Sequence, residues 1–90
     1  MPSKYGEIRE STQHALIGFL QAELKIGATF VQSALLAHSD GHMDHYIQTK
    51  ENSLKTIEAV KKFMLRVTDV QIREEIEDRL AELERLASTL

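Results

Sequence analysis

Apolar and small residues recur at steps of three and four along most of this chain. The first stripe reads Ile17, Leu20, Leu24, Gly27, Val31 and Ala34, and the same step reaches His38. Such spacing puts all of these positions on one side of an α-helix. Leu16, Ala28 and Leu35 each lie four residues from a stripe member and widen the face. That width suits a globular bundle better than a narrow two-stranded seam. Phe19, Ile26 and Phe30 form a second apolar line, about 100° round the same helix. Gly18 and Gly27 lie inside it, where each costs up to about 1 kcal/mol relative to Ala. With Ala34 and Ala37 they mark places where a neighbouring helix can approach closely.

A second stripe holds Met43, Ile47, Lys50, Leu54, Ile57, Val60, Met64 and Val67. Lys50 interrupts it, and its aliphatic stem can pack while the ammonium reaches water. Glu51–Lys55 and Glu58–Lys62 are four apart in the favourable order and mark the solvent face. The third stripe is Ile72, Ile76, Leu80, Leu83, Ala87 and Leu90, with Leu86 alongside.

The boundaries follow from local chemistry. "HSDG" ends the first helix, since Gly41 can take the left-handed conformation of a C-terminal cap. Either Ser11 or Ser3 can cap its start. Tyr5 and Ile8 are the large apolar residues before Ser11, so a looser or broken first turn is expected. "TDVQ" at residues 68–71 fits a capping box of Thr68 with Gln71. The expected helices span residues 8–39, 42–67 and 69–89. Connections this short make sequential neighbours antiparallel. The expected fold is all-α: an antiparallel three-helix up-down-up bundle forming a single domain over residues 1–90, with a long first helix that can be broken near its N-terminus.

Composition supports this and narrows the function. Pro occurs once, at Pro2, and Gly four times; so few breakers favour long helices. There is no Cys, which excludes disulfides, thiolate metal sites and Cys nucleophiles. No apolar run approaches the roughly 20 residues of a membrane span, and "MPSKYGEIRES" has no secretory apolar segment. A cytoplasmic, non-membrane protein is the default expectation. A net charge of -3 argues against nucleic acid as the main partner, which needs a basic field. Residues 48–67 hold five Lys/Arg and two Glu, whereas residues 68–90 hold seven Asp/Glu and three Arg. A basic helix followed by an acidic one suits an antiparallel pair with ion pairs across it. An acidic strip of Glu74, Glu75, Asp78 and Glu82 that docks a basic partner is the functional alternative.

The stretch "FVQSALLAHSDGHMDHYIQTKENSLKTI" resembles a helical hairpin of the tetratricopeptide-repeat family. In that likeness Phe30 takes the large aromatic position and Ala34 the small one. Gly41 takes the turn, and Ser53 the later small position. Tyr46 departs from the pattern, standing where the family places a small Ala, and no second copy follows. In layout the chain is also similar to the microtubule-interacting and transport domain. The resemblance implies a protein- or peptide-binding helical surface and no catalysis.

Catalytic motifs do not emerge from the residues. Glu-x-x-His, the di-iron bundle ligand pattern, is absent: the residues three before each His are Ser11, Leu35, Ser39 and His42. A P-loop, a Gly-rich dinucleotide turn and His-Glu-x-x-His are absent too. No enzymatic activity and no cofactor are expected. The densest cluster of ligand-type side chains is "HSDGHMDH". His38, Asp40, His42 and His45 could supply imidazole and carboxylate to a divalent metal such as Zn or Ni. The same residues also make an ordinary helix–turn–helix: Asp40 or Ser39 can cap exposed N–H groups, and Asp44 favours the next helix dipole.

The leading functional expectation is a protein–protein interaction or self-association module, most simply a homodimer. Its contact residues would be Phe19, Ile26 and Phe30, with Phe63 at the edge of the second helix. Completion of a wide core is the competing use of the same side chains. A metal-binding or metal-responsive protein using residues 38–45 is the alternative function.

Overall fold

The structure is a computed structural model that describes the backbone from Lys4 to Leu90 and the side chains from Ser11 onward. The expectations for a Ser3 cap and for Tyr5 and Ile8 packing lie outside the described residues. Three helices form: α1 over Lys4–Ser39, α2 over Met43–Met64 and α3 over Val70–Ala87. They pack as an antiparallel up-down-up bundle, 61 Å long and 19 by 15 Å across. α1 packs most extensively on α2, and α3 lies along both.

α1 is uninterrupted for 36 residues, about 54 Å at 1.5 Å per residue. α1 thus begins before the approximate bound at residue 8, at the longer of the two starts the sequence offers, and runs without the break that was the alternative near its N-terminus. Its far end closes as expected. Gly41 has φ +76; its N–H donates to the His38 carbonyl at 3.2 Å, and the His42 N–H donates to the Ala37 carbonyl at 2.8 Å. These two bonds are the Schellman arrangement, which satisfies carbonyls left over at a helix end.

The core divides into two parts. Leu20, Leu24, Val31, Ile57, Val60, Val67, Ile76, Leu80, Leu83 and Ala87 form the main cluster. Ala34, Ala37 and Tyr46 form a smaller one beside the α1–α2 turn, with Leu90 packed against it. On α1 the buried line runs through Ala37, whereas His38 is exposed. On α2 the expected phase is wrong for the first half. Tyr46, Thr49, Ser53 and Thr56 are buried, while Met43, Ile47 and Leu54 are about half exposed.

The physical reason lies in size. Leu24 and Val31 on the second half of α1 belong to the main cluster, but its other buried positions, Gly27, Ala34 and Ala37, carry little or no side chain, so beside them α2 comes close and small groups fit between. A Cβ on Gly27 would lie 2.7 Å from Leu83 Cδ2 and 3.1 Å from Thr56 Cγ2. The buried hydroxyls need nothing from α1. Thr49 Oγ1 donates to the His45 carbonyl at 2.8 Å, Ser53 Oγ to Lys50 at 2.7 Å and Thr56 Oγ1 to Asn52 at 3.0 Å. Bonding back to the helix's own carbonyls lets a Ser/Thr face be buried without a desolvation penalty left open.

α3 starts one residue later than the capping box predicts. Asp69 is the N-cap, and its Oδ1 accepts from the Ile72 N–H at 3.0 Å. The Thr68 N–H is instead held by Gln13 Oε1 at 3.0 Å, while Gln13 Nε2 donates to the Arg66 carbonyl at 2.9 Å. One side chain of α1 thus fixes the α2–α3 loop at two points. The helical turns of α1 before Gln13 run about 13 Å past that clamp.

Candidate functional site

Two places in the fold were expected to act. The first is the α1–α2 turn. His38, Asp40, His42 and His45 are all exposed there. His38 belongs to the last turn of α1, and its ring meets the Tyr46 ring edge-on at 5.1 Å. His42 is the N-cap residue of α2 and no side chain caps it, so the expected Asp40 or Ser39 cap does not form. Asp44 does fall in the first turn of α2, where a carboxylate favours the dipole. Among the described residues, no group of three or more His, Asp or Glu side chains is arranged to hold a metal ion.

The second place is the α1–α2 edge. Phe19 on α1 meets Phe63 on α2 with ring centroids 5.8 Å apart and planes at 88°. Edge-to-face contact aligns the positive rim of one ring with the negative face of the other. Phe63 also carries two cations: Lys62 Nζ lies 5.5 Å and the Arg66 guanidinium 5.0 Å from its centroid. Ile26 follows Phe19 by seven residues, two helical turns, so it falls on the same side of α1. Phe19 and Ile26 are each 43% exposed; Phe30 and Phe63 are half-buried. The two pairs divide the competing readings. Phe63 packs against the main cluster and Phe30 is half-buried, while Phe19 and Ile26 leave much of their apolar surface in water.

Charges define a third surface. Lys61 Nζ pairs with Glu84 at 3.3 Å across the α2–α3 groove. Two further ion pairs lie within α3, Arg73–Glu77 at 3.8 Å and Arg85–Glu82 at 2.6 Å. The Arg85 hydrogen bonds hold the Glu82 carboxyl below its ordinary range. The basic-then-acidic order of α2 and α3 thus produces one pair between them among the described residues, fewer than the sequence suggests.

Sequence reasoning missed Gln13, Tyr46 and the outward-facing residues of α2. Tyr46 is the hinge of the small cluster: its hydroxyl donates to the Leu90 main-chain oxygen, and Lys50 Nζ lies 5.9 Å above its ring. The departure of Tyr46 from the repeat-like pattern was the available signal. A large ring at a small-residue position must either break the hairpin or be accommodated by Ala neighbours, and Ala34 and Ala37 provide that space.

The fold and the site define a small all-α three-helix bundle with an exposed aromatic edge. No family model matches the chain, and neither does any curated protein or solved structure. Among the described residues no helix is long and apolar enough to cross a membrane.

Proposed function

We propose that this protein is a non-catalytic interaction module that self-associates as a homodimer through the α1–α2 edge. Phe19 and Ile26, backed by Phe30 and Phe63, are buried against the second copy. The observation that carries the reading is the Phe19–Phe63 pair with Ile26 beside it: large apolar side chains in one line, two of them 43% exposed. Fully burying a side chain of this size is worth about 1.5–3 kcal/mol. Each copy would gain a part of that at each position, and a symmetric contact counts it twice.

The test is sedimentation equilibrium over a wide protein concentration range, with melting curves recorded alongside. Self-association raises the melting temperature with concentration. A Phe19→Ser/Ile26→Ser variant is expected to remain a helical monomer whose melting temperature no longer depends on concentration. A wild-type chain that sediments as a monomer throughout would defeat the proposal.

A further inference from the structure

The edge between α1 and α2 fits its own pattern when turned end over end. On α1, Ala28 lines the groove to α3. Ile26 is two residues away, about 200° round the helix, and so faces outward on the other side. Phe19 and Ser33 lie seven residues before and after Ile26, and Ala22 and Phe30 lie four before and after. Steps of four and seven keep all five on one side of the helix. Reversal of α1 about Ile26 exchanges Phe19 with Ser33 and Ala22 with Phe30. Each ring then meets a small side chain, and Ile26 meets Ile26. Large set against small lets two packed layers interdigitate.

α2 carries the matching pattern in charge. Glu51, Lys55, Glu58 and Lys62 are all exposed and follow one another at steps of four, three and four, along one flank of the helix. Lys55 lies two residues from Ile57, which lines the groove to α3, so this flank is also turned away from α3. None of the four enters an ion pair among the described residues. Lys62 lies 5.5 Å above the Phe63 ring, beside the apolar edge. The order is Glu, Lys, Glu, Lys in one direction and Lys, Glu, Lys, Glu in the other. Two antiparallel copies of α2, centred between Lys55 and Glu58, therefore set Glu51 against Lys62 and Lys55 against Glu58, each pair twice. Parallel copies would set like charges together, which is costly. The two patterns share one centre. A Cβ on Gly27 would lie 3.1 Å from Thr56 Cγ2, and Phe19 meets Phe63 two turns away. The midpoint of the charged line, between residues 56 and 57, is thus level with Ile26.

We propose, resting on the self-association reading, that the second copy packs antiparallel, with a two-fold axis that crosses the helices at the level of Ile26. α1 lies on α1 and α2 on α2 of the second copy. Ile26 sits at the centre, where fully desolvated anchors contribute most. Glu51–Lys62 and Lys55–Glu58 form between copies and fix the direction, as self-complementary contacts across a two-fold must.

The test combines charge exchange with distances. Wild type, Glu51→Lys, Lys62→Glu and the double exchange are compared by sedimentation equilibrium. Each single exchange creates two like-charge contacts in the dimer and is expected to weaken it about tenfold. The double exchange restores opposite charges and is expected to return to within about threefold of wild type. An equimolar mixture of the two single variants is expected to do the same, as a mixed dimer. The chain has no Cys, so Lys25→Cys and Ser39→Cys each take one nitroxide label. Both positions are exposed, and they lie about 100° and 140° round α1 from Ile26. Ser39 is thirteen residues from Ile26, so its two labels are offset by about 39 Å along the helices, against about 3 Å for Lys25. Equal label separations at the two sites overturn the antiparallel packing. So does a dimer that ignores the single exchanges, or one that the double exchange fails to restore. Each of those results leaves self-association standing, whereas a wild-type chain that stays monomeric overturns both readings.

Discussion

The two ends of the bundle are built on different principles. Near the α2–α3 loop, Leu20, Val60, Val67 and Ile76 are each 2% exposed or less, and the helices are held apart by branched aliphatic side chains. Near the α1–α2 turn, the interior is Ala34, Ala37, Thr49 and Ser53 around a single tyrosine. There the large apolar residues Leu35, Leu36, Met43 and Ile47 lie outside. The first end is stabilised by removing apolar area from water. The second is stabilised by close backbone approach and dispersion contacts, with little apolar area removed. The difference teaches where function can reside. An end that excludes its large apolar side chains from its own core has them available for something else.

The sharpest contrast comes from paired truncations. Leu20→Ala removes a fully buried side chain of the main cluster, and such changes cost about 2–5 kcal/mol. Ser53 is equally buried, but its hydroxyl bonds only to the Lys50 carbonyl of its own helix. Ser53→Ala removes little volume and gains helix propensity, so a change under about 1 kcal/mol is expected. Urea unfolding of the two variants measures both. Equal losses would erase the distinction between the ends.

Glycine substitutions probe the closeness of packing directly. Gly27→Ala gains up to about 1 kcal/mol of helix propensity, and the new methyl meets Leu83 and Thr56. The Leu83 methyl can turn away. The Thr56 methyl is on a β-branched side chain with little χ1 freedom inside a helix. Overpacking costs about 1–3 kcal/mol, so a net loss of roughly 1 kcal/mol is expected. Gly18 has nothing within 4 Å of an added Cβ, and Gly18→Ala should stabilise by about 0.5–1 kcal/mol. Thermal melts of both separate the two cases by sign. A gain at Gly27 would mean that α1 and α2 are less tightly apposed than described.

Tyr46→Phe tests what closes the turn end. It deletes the hydroxyl that the Leu90 main-chain oxygen accepts and leaves the ring in place. The expected cost is about 1 kcal/mol. Amide exchange should quicken around Ala34, Ala37 and the start of α2 while the main cluster keeps its protection. Uniform acceleration along all three helices would mean that the ends unfold as one unit.

This same division explains what could be read in the sequence. The periodicity fixed three helices and their antiparallel order, because a stripe of Ile, Leu and Val at steps of three and four has one geometric solution. Gly41 fixed the turn, because left-handed backbone there favours glycine. The phase of α2 could not be read from hydrophobicity. Met43, Ile47 and Leu54 outscore Thr49, Ser53 and Thr56 on any transfer scale, yet a helix laid against Gly27, Ala34 and Ala37 selects for size before polarity. The α3 cap moved from Thr68 to Asp69 because Gln13, more than fifty residues away in sequence, holds the Thr68 N–H. Of the expected contact residues, Phe19 and Ile26 stay on the surface, Phe30 is half-buried and Phe63 packs against the main cluster. That split depends on how α2 rotates against α1, which no one-helix pattern carries.

The smallest expected effect concerns charge, which distinguishes the two ends least. Glu82 and Arg85 share two hydrogen bonds, at 2.6 and 3.0 Å, on the outer face of α3. Those bonds lower the Glu82 carboxyl most, slight desolvation opposes them, and the Arg85 charge adds to the lowering. A folded value below the unfolded one stabilises the fold fully above the unfolded value. That contribution is lost as pH falls through the folded value. The pair is in water, where such contacts are weak. Glu82→Gln should therefore leave the neutral-pH melting temperature nearly unchanged and remove only a small slope on the acid side. Arg85→Gln should let the Glu82 carboxyl titrate back in its ordinary range, followed by NMR of the side-chain carbon. A large neutral-pH loss in either variant would mean that the acidic face of α3 is already engaged, by a second copy or by α2, and that the division between an aliphatic end and a close-packed end omits a third source of stability.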